Sequence, residues 1–243
     1  MSWQPDEYIL GALHDAVHRG DPDAYLAALV DSCLVVPGDP AEGGWPVVET
    51  PDGVCVVVYT TVEALPPGTG GYAIWPAFDL LHGWPDPAWS LSVDSGLSTE
   101  VAVEPGGIAR AAARAASAYP LDAVLWEAGG EPRSYLDAVV GAEIVVPIRP
   151  DGSPSRDLTD PEFAWWRAPD APAIALFTSP VRLRARLGEA PWLVTRFVEV
   201  LRHWPDGHAA LMDPDHHIGA TLPAEAMSAM AAATRHQPHP TDH

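Results

Sequence analysis

The chain has no lysine and no asparagine, only two cysteines and four phenylalanines, and no apolar run near the roughly 20 residues that span a bilayer as a helix. Each shortage removes a class of function. Two cysteines cannot build a disulfide framework or a thiolate zinc site, and Cys33 and Cys55 both lie in apolar runs, where an inert core thiol is expected. Thirteen arginines stand against 33 acidic residues, a net charge of −20, so a phosphate backbone or an anionic membrane surface would be repelled. A neutral or basic protein partner is expected instead. No GxSxG elbow, GxxxxGK loop or GxGxxG turn occurs, which leaves no signature of nucleophilic catalysis or of phosphate cradling. The opening residues MSWQPDEYIL carry neither a basic nor an apolar leader segment, and a cytoplasmic location is expected. High-GC coding accounts for arginine in place of lysine without any mechanism.

At 243 residues the chain can bury one large or two compact cores, and an internal repeat favours two. Tyr25 to Pro37 reads YLAALVDSCLVVP and Tyr135 to Pro147 reads YLDAVVGAEIVVP, seven identities in thirteen positions at a spacing of 110 residues. Tyr59-Thr60-Thr61 answers Phe177-Thr178-Ser179, Trp84-Pro85-Asp86 answers Trp204-Pro205-Asp206, and Glu104-Pro105 answers Leu222-Pro223. A period of this length is a domain rather than a solenoid repeat.

Each copy is expected to run helix, strand, strand, helix, helix, strand, strand, helix. Asp21 with Pro22, and Ser179 with Pro180, have the chemistry of helix starts. Leu34 to Pro37 and Ile144 to Pro147 are short and apolar on both faces, the pattern of central strands. Pro66 and Pro67 restrict the first copy to one helical turn where the second has a helix with Leu183 and Leu187. The fold class is therefore α/β or α+β: two similar domains, each a small mixed sheet with packed helices, in a pseudo-two-fold tandem repeat. The expected boundaries are an N-terminal helix at 1–20, copy one at 21–118, a linker at 119–132, copy two at 133–233 and a disordered tail at 234–243.

The block Tyr135 to Pro147 with its VVP ending, and Leu176-Phe177-Thr178-Ser179-Pro180-Val181-Arg182-Leu183 followed by Trp192, resemble the SseB N-terminal domain family. Val181 stands where that family often has an acidic residue, and copy one has Tyr59-Thr60-Thr61-Val62-Glu63 without the proline. The motifs describe strand ends and helix caps. The resemblance implies a fold without established catalytic residues, and an accessory protein of specialised secretion or toxin systems.

The remaining polar clusters admit plainer uses. His14 and His18 are one helical turn apart, but no third ligand follows, and two solvated histidines suffice. Asp213, Asp215, His216 and His217 could ligate a divalent ion, yet Asp213-Pro214-Asp215 is also turn chemistry, and copy one has Val93-Asp94-Ser95-Gly96 there. His236, His239 and His243 lie in the polar tail. Charge is distributed unevenly: Met1 to Ala109 holds sixteen acids against Arg19, a net −15, and the remainder seventeen acids against twelve arginines, a net −5. Ordinary solvation, docking between copies and steering of a basic partner all fit this pattern.

Trp75, Trp84, Trp89, Trp165 and Trp166, with Arg182 and Arg186, are the residues expected to form a binding surface, tryptophan and arginine being the usual interface anchors. Period-two geometry sends one of Trp165 and Trp166 away from the core. The expected function is a non-catalytic protein-binding module without cofactor, acting as a secretion-associated accessory or chaperone. The alternatives are an immunity protein that neutralises a basic toxin and a metal-dependent enzyme using the cluster at 213–217. Monomer and dimer are equally compatible with the sequence.

Overall fold

The computed structural model describes residues 3–38, 44–51, 53–127, 132–150, 157–169, 171–214, 216 and 218–235, with the backbone alone at 132–135. The chain divides into two compact units, Met1–Ala118 with Leu187–Glu189 and Tyr119–Arg186 with Ala190–His243.

The first unit opens on α1 (Glu7–Arg19) and α2 (Pro22–Val30). Asp6 caps α1 by accepting from the N–H groups of Tyr8 and Ile9. Gly20, at φ 61°, ends it in the left-handed conformation that glycine adopts without a Cβ penalty. The next residue, Asp21, caps α2 through the Ala24 N–H, so only Gly20 and Asp21 join the two helices. The helix expected to stand outside the repeat belongs to this unit, with Leu13 and Ala16 buried and α1 packed along α2.

Then follow β1 (Cys33–Pro37), β2 (Val47–Thr50), β3 (Gly53–Val58), a 3₁₀ turn (Val62–Ala64), β4 (Tyr72–Pro76), α3 (Ala77–His82), β5 (Ser90–Val93), β6 (Val101–Val103) and α4 (Pro105–Ala118). The ladder runs β2-β3-β5-β6, with β3 and β5 parallel and the other neighbours antiparallel. β1 pairs antiparallel with β4 and exchanges two backbone hydrogen bonds with Tyr59, just past β3. Flanked on both edges, β1 buries Leu34, Val35 and Val36 completely, as its two-faced apolar sequence implies. β2 is the opposite case, with all four side chains exposed.

The second unit contains α5 (Pro120–Glu127), α6 (Pro132–Val140), β7 (Glu143–Pro147), β8 (Ala173–Leu176), α7 (Pro180–Leu187), β9 (Trp192–Arg196), α8 (Phe197–Arg202), β10 (Ala209–Met212), β11 (Ala220–Leu222) and α9 (Ala224–Arg235). Its pairings follow the pattern of the first. β7 pairs antiparallel with β9 and bridges to Phe177 past β8, β8 is parallel to β10, and β10 is antiparallel to β11. The single bridge of Arg167 to Ile174 stands where β2 lies along β3. Trp204, Phe197, Ile144, Ile174 and Leu176 are fully buried at the centre of its core.

Three expectations change. The segment expected as a linker at 119–132 carries α5, whose Leu125 belongs to the second core and whose Asp122 is buried, so the second unit starts before residue 133. β2, β4 and β9 were absent from the expected order, β2 because it follows a Pro/Gly/Asp-rich stretch that reads as turn, and β4 and β9 because tryptophan-proline and threonine-arginine endings obscure the two-residue alternation. Thr234 and Arg235, assigned to a disordered tail, close α9, where the Thr234 hydroxyl donates to the Met230 carbonyl and Arg235 Nη2 to the Trp204 carbonyl. Residues 236–243 lie outside the described structure.

Candidate functional site

In a mixed sheet, ligands commonly sit beyond the carboxyl ends of the parallel strands. Here those ends are tied together. In the first unit Asp94, directly after β5, accepts from the Thr60 N–H and the Thr60 hydroxyl, both at 2.8 Å. In the second, Asp213 after β10 accepts from the Thr178 N–H at 3.0 Å and from its hydroxyl at 2.7 Å. Both aspartates are buried and both have positive φ, 57° and 44°, a backbone region that aspartate tolerates better than most residues. Each clamp joins the ends of two parallel strands.

The units differ around the clamp. In the first, Glu100 closes the turn after β5, accepting from the Gly96 N–H at 2.9 Å and from the hydroxyls of Ser92 and Ser95. The Gly96 N–H, with those hydroxyls, holds the Glu100 carboxyl below its ordinary range against the opposing effect of burial. In the second unit the turn is drawn inward onto a guanidinium. Arg182, in the first turn of α7, places Nε 3.1 Å from Asp122 Oδ2, both side chains 2% exposed, and its Nη1 lies 2.8 Å from His216 Nδ1. Burial, with the nearby Asp122 carboxylate, raises Asp213 to about 6, against the pull of Arg182 and of the Thr178 hydrogen bonds.

Arg182, expected on a binding surface, is therefore inside the second unit, because Asp122 from α5 compensates its charge there. Asp213 is equally buried, with its carboxylate turned to Thr178, and His216 faces the guanidinium, a cation where a metal ligand set would need open space. Asp215 and His217 lie outside the described residues, as do His236, His239 and His243. Among the described residues no group of three His, Cys, Asp or Glu side chains is arranged to hold a metal ion. His14 is half-buried and His18 exposed on α1; Cys55 is buried and Cys33 half-buried.

The tryptophans divide between core and surface. Trp165 is buried and packs edge-on against Phe163 and Trp204, with centroids 4.8 and 5.5 Å apart, so it anchors the second core. Trp166 is half-buried, and Arg186 is exposed on α7. Trp75, Trp84 and Trp89 are half-buried, and Trp45 joins the first two edge-on at 6.4 and 6.0 Å. Trp45 was missed from sequence, though its place before β2 mirrors Trp165 before the Arg167 bridge, and its contact with Trp84 mirrors that of Trp165 with Trp204.

Among the described residues, the cavities along β9 and beside β6 each lie within a single unit, and neither is lined by the Asp122, Arg182, Asp213 and His216 cluster. One, about 380 Å³, lies along β9 and is bordered by Leu193, Thr195 and His203. The other, about 580 Å³, lies in the first unit between the α1–α2 corner and β6, and falls in the size range of ligand sites. Val17, Leu26, Val101 and Val103 contribute to its lining, as do Asp21, Glu100 and Glu104. None of the three acids was singled out from sequence as a site residue; only the net charge of −15 over Met1 to Ala109 pointed towards this unit.

Residues 121–229, from α5 to α9, match the family model of the SseB protein N-terminal domain. The second unit is thus similar to the SseB N-terminal domain. Within the matched range, Phe177-Thr178-Ser179-Pro180 supply the Thr178 end of the clamp and the start of α7. No curated protein and no solved structure matches the chain. Among the described residues, no helix is long and apolar enough to cross a membrane.

Proposed function

We propose that the protein is a non-catalytic protein-binding module, a secretion-associated accessory whose acidic first unit takes a basic partner. The single observation that carries this reading is the 580 Å³ groove of the first unit, bordered by three acids and apolar walls, in the part of the chain that holds −15 of the net −20 charge. Potentials of one sign over such a groove steer an oppositely charged partner and raise its rate of association. The reading takes the two units as copies of one SseB-like ancestor. Its supports are the shared order of strand pairings, the shared aspartate–threonine clamp and the matched tryptophan pairs. On this view the second copy has put its distinctive ionisable groups into its own interior, where Arg182 pairs with Asp122 and its charge opposes the rise that burial and Asp122 impose on Asp213.

The test is co-purification of the full chain with the products of adjacent genes at low and high salt. A partner of net positive charge should be retained near 0.05 M salt and released near 0.5 M, where screening reaches only a few ångströms. Retention that is indifferent to salt, or no partner at all, refutes the reading. A secreted partner released intact identifies an accessory, and inhibition of a toxin's activity identifies an immunity protein.

A further inference from the structure

We infer that the groove beside β6 receives an extended basic segment of the partner, which adds as a strand to the β6 edge and places an arginine or lysine side chain in the groove. This rests on the proposed function and names the site and the form of its ligand.

β6 is the last strand of the ladder β2-β3-β5-β6, so its backbone is paired on the β5 side while its other edge borders the groove through Val101, Ala102 and Val103. A terminal strand offers outward N–H and C=O groups to an extended chain, and strand addition is a recurrent way of binding peptides. Three residues provide few such bonds, so the groove must supply most of the affinity and all of the selectivity.

Its lining suits a long cationic side chain. Val17 and Leu26 on one wall and Val101 and Val103 on the other would flank the aliphatic stem, while Asp21, Glu100 and Glu104 would receive the charged end. Tyr25 is 5% exposed and also lines the groove. Arg110, the one cation in the lining, already donates to the Gly106 carbonyl at 3.3 Å along its own helix. Glu100 is held in place by the Gly96 N–H and two serine hydroxyls, so little ordering is left for binding to impose.

The experiment uses the full chain and a capped seven-residue peptide alternating valine with arginine, followed by fluorescence anisotropy. Gly106→Trp plugs the groove from an exposed position where a Cβ meets nothing closer than Arg110 Nη1 at 3.9 Å, and Glu104→Arg reverses an exposed charge. Thermal melts establish that both variants fold. The peptide should bind in the micromolar range and lose at least tenfold in affinity with either variant. Replacing its arginines by glutamate, or methylating alternate backbone nitrogens, should cost as much. Equal binding to the plugged variant, or equal binding of arginine amide without a peptide chain, overturns the inference. If the peptide fails while a basic partner is still captured in a salt-dependent way, the β6 site falls and the proposed function stands; if neither binds, both fall.

Discussion

Arg182 Nε lies 3.1 Å from Asp122 Oδ2 with both side chains 2% exposed, which pins α5 to the first turn of α7. A buried ion pair adds little over an apolar pair of the same volume, but removing one member strands the other. Arg182→Ala should therefore destabilise the second unit by about 3 kcal/mol or more, seen as a lower urea midpoint. The double variant Arg182→Met with Asp122→Leu should recover part of that loss; a double variant no better than the single would show that the loss comes from what Arg182 itself supplies and not from the stranded Asp122 carboxylate.

Asp213 supplies a pH dependence of defined sign. Burial raises its carboxyl from 3.8 to about 6, with Asp122 adding to the rise and Arg182 and Thr178 opposing it. Between those values the folded chain holds a proton that the unfolded chain has released. The contribution of this group to stability is thus present below about pH 4 and declines as pH rises through about 6. Asp213→Asn, which keeps an oxygen for the Thr178 N–H, should flatten the difference between urea midpoints at pH 4 and pH 7. An unchanged difference would assign the dependence to other groups.

The equivalent clamp in the first unit is tested by comparing two replacements of Asp94. Asp94→Ala leaves the Thr60 N–H and hydroxyl, both 2.8 Å from the carboxylate, without their acceptor and puts alanine at φ 57°. A loss of about 3 kcal/mol is expected for two buried donors left unpaired, read from chemical denaturation followed by tryptophan fluorescence. Asp94→Asn, which tolerates this backbone region and still accepts, should lose less than half as much. Equal losses would mean that the carboxylate charge, not the hydrogen-bond geometry, matters.

Two glycines should respond in opposite ways to alanine. A Cβ at Gly219 would meet the carbonyl oxygens of Asp213 at 2.4 Å and His216 at 2.8 Å, backbone atoms that cannot turn aside. Overpacking of this kind costs about 1–3 kcal/mol, and Gly219→Ala should lower the melting temperature measurably. At Gly106 the Cβ has room and the residue lies in the first turn of α4, so Gly106→Ala should leave it unchanged or raise it. The pair of melts decides between local crowding and a general effect of alanine.

The elements that could be read from sequence were those whose local chemistry agrees with their tertiary role. Asp21-Pro22 starts a helix in any context, Gly20 ends one, and the two VVP strands are apolar on both faces because both faces are covered. The 3₁₀ turn before Pro66-Pro67 follows from proline's missing N–H. What escaped depends on distant partners. Asp122 looks like linker chemistry until Arg182 comes into place sixty residues later, and a run of three arginines on α7 reads as surface although Arg182 turns inward while Arg186 stays out. The expectation of one inward and one outward tryptophan at 165–166 agrees with their burial, since it rests on strand geometry alone. The groove was invisible because its lining comes from four separated elements, none of which carries a motif.

β2 adds a consequence of its own. With Val47, Val48, Glu49 and Thr50 all in solvent, no buried face fixes its register, and the ladder to β3 is nearly all that holds it. Its amides should exchange with deuterium well before those of β3, which has β5 on its other side. The first unit should therefore come apart from this hairpin inward, shedding its outermost strand at little free-energy cost while the interior built around Leu34, Val56 and Leu91 persists.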